Sequence, residues 1–239
     1  RRLAVVVGAN AGSGDRPPLR FAETDAGKVA RVLVELGGVA KEDVLLLQGR
    51  PLAEVEAALQ TARGRLASWK SEGVDRALVL FFYSGHSDGE SLELGRDRLP
   101  YARLKSWLDA TGADVRVAIV DSCRSGALLS EKGARQGNGF DLRLVDDLVT
   151  SGNVLLASSA ADEVALESSD IGGSYFTHHF VSGLRGAADA SGDARVTLME
   201  AYRHAFERTV AATSTLVSGG QHPTFDLDLS GQGELVLTE

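Results

Sequence analysis

Leu78-Val79-Leu80-Phe81-Phe82-Tyr83-Ser84-Gly85-His86 is a continuous apolar run that closes on a serine, a glycine and a histidine. An unbroken stretch of branched and aromatic side chains at strand length reads as a strand covered on both faces, the pattern of a parallel sheet. Val115-Arg116-Val117-Ala118-Ile119-Val120 repeats it and closes on Asp121-Ser122-Cys123-Arg124-Ser125-Gly126. Working outward, β-rich runs at residues 3–7, 44–47, 77–83, 115–120 and 154–157 alternate with helical spacing at 23–36, 52–70 and 101–110. Alternation of this kind demands right-handed crossovers and helices on both faces of one sheet. Two further helical segments follow, 175–184 and 197–212, then a strand-like 234–238. The expected fold is α/β, a mostly parallel central sheet of about six strands with helices on both faces, in a single domain over residues 1–239.

Bulk properties narrow the function. Of the 239 residues 44% are hydrophobic, enough to fill a core. No window approaches the roughly eighteen uninterrupted apolar residues of a membrane span. The net charge is −8 and no Lys/Arg run exceeds two residues, so a nucleic-acid groove has no electrostatic support. A cationic or peptide partner is easier to accommodate, and a cytoplasmic location is expected. The chain enters a strand at once, which allows for a flanking regulatory domain or partner beyond it. One cysteine permits no internal disulfide, so Cys123 is either packing or chemistry.

Its placement favours chemistry. Cys123 and His86 both follow the carboxyl ends of consecutive strands, where parallel sheets gather function. If those strands are neighbours, sulfur and imidazole stand at a feasible distance for proton transfer. The N–H of Gly85, unshielded by a side chain, joins that of Cys123 as an expected pair of oxyanion donors. Small residues surround both groups: Ser84-Gly85 before the histidine and Ser125-Gly126 after the cysteine.

These two motifs resemble those of the caspase-like cysteine peptidases, the metacaspases and their bacterial relatives above all. The separation of 37 residues between His86 and Cys123 is shorter than the roughly fifty of caspases, and the caspase Gln-Ala-Cys-Arg-Gly pattern is not matched. Asp121 stands where caspases carry glutamine. The resemblance implies a caspase-like sandwich that hydrolyses peptide bonds, with Cys123 as nucleophile, His86 as acid/base and the amides of Gly85 and Cys123 holding the oxyanion. It further implies that Asp121 and Asp25, the latter in Phe21-Ala22-Glu23-Thr24-Asp25-Ala26, line the pocket for the residue before the scissile bond. Two carboxylates there favour a guanidinium or ammonium, so cleavage after Arg or Lys is expected, and not after Asp. Ser158 and Asp162, beyond the fifth strand, are placed on the groove wall by the same analogy. The loop 130–152, with Lys132, Arg135 and Arg143, is a candidate for self-cleavage.

No cofactor is required by this chemistry. One metal motif is nonetheless present: residues 189–200 set Asp189, Ser191, Asp193 and Glu200 at the oxygen positions of a calcium loop, with Ala194 where the turn glycine belongs. The competing reading is a capping box on the helix that starts near Thr197. Adjacent His178 and His179 point apart on a helix and do not chelate together; His204 and His222 read as structural. Gly8-Ala9-Asn10-Ala11-Gly12-Ser13-Gly14 lacks the Gly-Lys-Ser/Thr ending of a phosphate loop and reads as a cleft rim. Two rivals to the peptidase stay open at this stage: a catalytically silent interaction or scaffold module, and a flavodoxin-like nucleotide binder.

Overall fold

The structure, a computed structural model, describes residues 1–14, 16–132, 149–216, 219–231 and 234–239. In chain order the elements are β1 (Arg2–Ala9), α1 (Ala22–Glu35), β2 (Val44–Gln48), α2 (Leu52–Ser71), β3 (Leu78–Gly85), the hairpin β4 (Ser91–Leu94) and β5 (Asp97–Pro100), α3 (Tyr101–Ala110) and β6 (Val115–Asp121). After a 3-10 helix over Ser125–Lys132 come β7 (Val149–Ala157), a ribbon of β8 (Glu167–Ser168) and β9 (Gly173–Ser174), α4 (Tyr175–Ser182), β10 (Val196–Thr197), α5 (Leu198–Thr213), β11 (Thr224–Gly231) and β12 (Val236–Thr238).

Six strands form the central sheet in the order β11-β7-β6-β3-β1-β2. All pairings are parallel except that of β11 with β7. Side chains alternate along each strand and so feed two cores. Ala4, Val6, Leu80, Phe82, Val117 and Ile119 meet α1, α4 and α5 on one face. Leu3, Val5, Val79, Phe81, Ala118 and Val120 meet α2 and α3 on the other. Neither face of the inner strands reaches water, which is why those strands read as unbroken apolar runs.

Two expectations need correction. The sixth strand is β11, not residues 234–238, which instead pair as β12 with β10 in a separate two-stranded ribbon. The signal for β11 was in plain view: Phe225, Leu227 and Leu229 alternate with Asp226 and Asp228, the period of a strand with one wet face. The loop expected over 130–152 ends earlier, because β7 already begins at Val149; residues 133–148, with Arg135 and Arg143, lie outside the described residues. The β4–β5 hairpin and the β8–β9 ribbon are too short to show a period in the sequence. Among the described residues no helix is long and apolar enough to cross a membrane.

The end of β1 shows how tightly α1 is laid on the sheet. A Cβ added to Gly8 would stand 2.6 Å from the Ala22 carbonyl oxygen and 2.7 Å from the Glu23 Cα, both backbone atoms that cannot swing away. Gly64, inside α2, has nothing within 4 Å of such a Cβ. Gly8→Ala is therefore expected to destabilise by about 1–3 kcal/mol through overpacking, whereas Gly64→Ala stabilises by roughly 0.5–1 kcal/mol; thermal melts of the two variants should move in opposite directions.

Candidate active site

β3 and β6 are neighbours, in parallel register from Leu78↔Val115 to Ser84↔Asp121. His86 and Cys123 each lie two residues past that last matched pair, so strands about 4.8 Å apart deliver both to one edge. The two line a common cavity together with Asp25, Asp121, Glu167 and Ser174. Its volume of about 30 Å³ is room for roughly one water.

The histidine is held from two sides. The Tyr83 hydroxyl, fully buried, lies 2.7 Å from the His86 carbonyl oxygen and 2.6 Å from that of Glu93. The backbone curls around this hydroxyl, and a Cβ at Gly85 would sit within 2.3 Å of it. Gly85 is thus required by packing beneath the site, a reason the sequence did not reveal. On the ring, Nε2 lies 3.0 Å from the Pro17 carbonyl oxygen. A carbonyl only accepts, so Nε2 carries the proton, and in the neutral ring Nδ1 keeps the lone pair. Arg16 braces the same loop, donating to the Ser87 carbonyl at 3.1 Å and pairing with the buried Glu93 at 3.5 Å.

The cysteine turn is fastened by the end of β7. Ser159 Oγ donates to the Ser122 carbonyl at 3.0 Å, and Gly126 N donates to the Ser159 carbonyl at 2.9 Å. A Cβ at Gly126 would come within 2.9 Å of that same oxygen, so only glycine permits the approach. Arg124 takes a left-handed φ of 55°, which is strained for a residue with a side chain; its N–H is satisfied by the Glu163 carbonyl at 2.9 Å. Burial pushes the Cys123 thiol up from its ordinary value, while the Ala165 N–H and the charge of Arg16 pull it partly back. A thiol so placed keeps its proton at neutral pH.

Both carboxylates anticipated for the pocket are buried, Asp25 at 0% and Asp121 at 3% exposure. Ser174 ties them together. Its N–H donates to Asp25 Oδ2 at 2.8 Å and its hydroxyl donates to Asp121 Oδ2, which also accepts from Thr177 Oγ1 at 2.5 Å. Lys28 Nζ binds Asp25 Oδ1 at 2.9 Å and the Gly172 carbonyl at 2.6 Å. Desolvation raises both carboxyls, that of Asp25 to about 6, against the opposing pull of these donors. Ser174, Thr177, Lys28, Pro17 and Glu167 were invisible in the sequence because each meets its partner across the fold.

Two groove residues are placed differently from expectation. Ser158 is fully buried and does not line the cavity; its hydroxyl faces the Asp121 carboxylate and helps hold that carboxyl down against its burial. Asp162 is exposed and outside the cavity; its expected position is taken by Ala165, Leu166 and Glu167. The oxygens of the calcium motif are hydrogen-bonded within their own segment. Asp189 accepts from the N–H groups of Gly192 at 2.7 Å and Ala194 at 3.0 Å, and Glu200 completes a capping box with Thr197. Asp193 accepts from Arg195 N at 2.9 Å, and Ser191 donates to Asp189. Their oxygens serve the turn and the helix cap, and the described residues hold no group of three His, Cys, Asp or Glu arranged for a metal.

The profile of the caspase domain, a peptidase family, matches residues 1–232. The chain belongs to that family. The crystal structure of caspase-1 from Spodoptera frugiperda has the same fold: the TM-score is 0.63 at 12% identity, over 100% of this chain and 92% of that one. No curated protein sequence matches the chain. A caspase-domain protein with this sheet supports cysteine-type peptide hydrolysis, and protein substrates follow from that class.

The buried acid of this caspase-domain chain makes its stability depend on pH. Asp25 titrates near 3.8 when unfolded and about 6 when folded, so between these values the unfolded chain gives up its proton first. The stability from this group is complete below about 4 and is lost as pH rises through about 6, roughly 3 kcal/mol in all. Melting curves at pH 4 and pH 7 should show a smaller loss over that interval for Asp25→Asn than for the unaltered protein.

Proposed function

We propose that this caspase-domain protein is an endopeptidase that cleaves after Arg or Lys through a Cys123–His86 dyad and a thioester intermediate. The observation that carries the reading is the shared cavity, in which the only thiol, the histidine and two buried carboxylates meet. Because burial holds the thiol protonated, the dyad works by proton transfer within the reaction and not as a standing ion pair. His86 Nδ1 accepts the Cys123 proton as the sulfur attacks the peptide carbonyl carbon. The carbonyl π electrons move onto oxygen, where the N–H groups of Gly85 and Cys123 receive them. The imidazolium then gives its proton to the departing amine as the C–N bond breaks. Water, giving a proton to the same nitrogen, attacks the thioester carbonyl; the C–S bond then breaks, the acid is released and the imidazolium returns its proton to the Cys123 sulfur. Throughout, the Pro17 carbonyl holds the far side of the ring, so its orientation is fixed while its protonation changes.

Charge decides the residue before the scissile bond. A cationic side chain entering between Asp25 and Asp121 replaces water with carboxylate partners, whereas an acidic one would meet two like charges in a desolvated space. Entry requires the segments around Leu19 and Leu166 to part, since the cavity has room for about one water. The steps call for no metal or organic cofactor. The alternative of a silent scaffold predicts no turnover at all.

Peptides that differ only at this position provide the test. Turnover after Arg or Lys should exceed that after Asp by at least about 100-fold, and Cys123→Ala and His86→Ala should abolish it; faster cleavage after Asp would reject the acidic pocket. In the free protein, alkylation of Cys123 by iodoacetamide should be slow at pH 7 and accelerate only above pH ~8.5, the ordinary thiol value.

A further inference from the structure

The backbone pairing of β3 with β6 stops at Ser84↔Asp121, two residues short of either reactive side chain. Beyond it the two turns are fastened to different partners. The His86 turn is held by Tyr83, Glu93 and Arg16, the Cys123 turn by Ser159 and Glu163. One side chain meets both turns. The Tyr101 hydroxyl stands 2.5 Å from Oγ of Ser87, the residue after His86, and faces the hydroxyl of Ser122, the residue before Cys123. All three residues are buried. A phenol has one proton to give and lone pairs to receive others, so it donates to one serine and accepts from its counterpart. Burial pushes the Tyr101 phenol up from its ordinary value and the two serine hydroxyls pull it partly back, so the phenol keeps its proton at neutral pH. Tyr101 is itself held rigidly. It opens α3, its N–H donates to the Glu90 carbonyl at 2.8 Å, and Trp107 further along the helix donates Nε1–H to the Leu59 carbonyl in α2 at 2.9 Å. Ser87 Oγ also accepts from Gly89 N at 3.0 Å, which closes the turn after the histidine. None of Ser87, Tyr101 and Ser122 lines the cavity, so this chain of hydroxyls stands behind the reacting atoms.

Resting on the peptidase reading above, we infer that Tyr101 is a positioning residue, whose hydroxyl bridges Ser87 and Ser122 and thereby sets the separation of the His86 ring from the Cys123 sulfur. The sheet brings the two turns to one edge at strand spacing. The bridge fixes what lies past the last backbone pair, from a helix that the core holds in place. A misplacement of about 1 Å between reacting groups costs roughly 100-fold in rate, so a link one residue from each partner is where such precision is set. The bridge touches no part of the cavity, and its loss therefore falls on turnover and not on substrate binding.

Tyr101→Phe removes one oxygen and keeps the ring in its core. With an Arg or Lys peptide, kcat should fall roughly 10- to 100-fold while KM stays within about twofold. Ser87→Ala and Ser122→Ala break one arm each; either of them added to Tyr101→Phe should cost less than about a further twofold, because the bridge is already gone. If Tyr101→Phe does not fold, the two serine variants carry the same comparison. A readout without turnover uses symmetrical dibromoacetone, whose two bromomethyl carbons alkylate first the Cys123 sulfur and then the His86 nitrogen, with loss of two bromides and two protons. Mass spectrometry separates the singly alkylated from the cross-linked protein. In Tyr101→Phe single alkylation of Cys123 should proceed as in the unaltered protein, while the cross-linked fraction falls at least about fivefold. Unchanged cross-linking, or a loss confined to KM, overturns the inference, as does an unaltered protein that alkylates without cross-linking. Cross-linking that is lost in Tyr101→Phe, in a protein that hydrolyses no peptide, supports the bridge and counts only against the peptidase reading.

Discussion

The parallel pairing of β3 with β6 is the constraint on which the site depends. His86 and Cys123 each stand two positions beyond the last matched pair, Ser84↔Asp121. A register slip of one residue would turn Asp121 and every alternate core side chain to the opposite face. The two cores prevent this, because Phe82 and Ile119 belong to one and Phe81 and Val120 to the other. The apolar burial that stabilises the sheet thus also sets the chemical geometry at its edge.

Around that edge, loops are held by polar contacts chosen for burial. The Tyr83 hydroxyl draws the His86 and Glu93 carbonyls together, and the Pro17 carbonyl selects the protonated nitrogen of the ring. On the other strand, Ser159 and Ser125 stitch the cysteine turn to the end of β7. Ser174 has three roles: it caps α4 through Thr177 N at 3.0 Å, and it binds each of the two acids. A helix cap is therefore part of the pocket wall, and the start of α4 and the two carboxylates form one unit.

Two buried acids in one cavity are costly unless donors surround them. Here the cost is offset unequally, by a lysine and a backbone N–H at Asp25 and by two hydroxyls at Asp121. Ser158, fully buried, adds its hydroxyl to the donors around Asp121 without lining the cavity.

The parallel sheet, its two helical layers and the placement of Cys123 and His86 at the carboxyl ends of two strands are legible in the chain, because these rest on local periodicity and on where a strand ends. Helices at 101–110 and 52–70 were legible to within a residue for the same reason. The contacts around the cavity come from the fold alone: Pro17 on His86, Ser174 and Thr177 on Asp121, Lys28 on Asp25, Glu167 on the cavity wall. It also moved Asp162 out to solvent, gave the oxygens of residues 189–200 to a turn and a cap, and placed β11 at the sheet edge. The physical reason is separation along the chain: Ser174 lies 149 residues from Asp25 and 53 from Asp121, and no local pattern encodes a hydrogen bond that exists only after the sheet has brought its ends together.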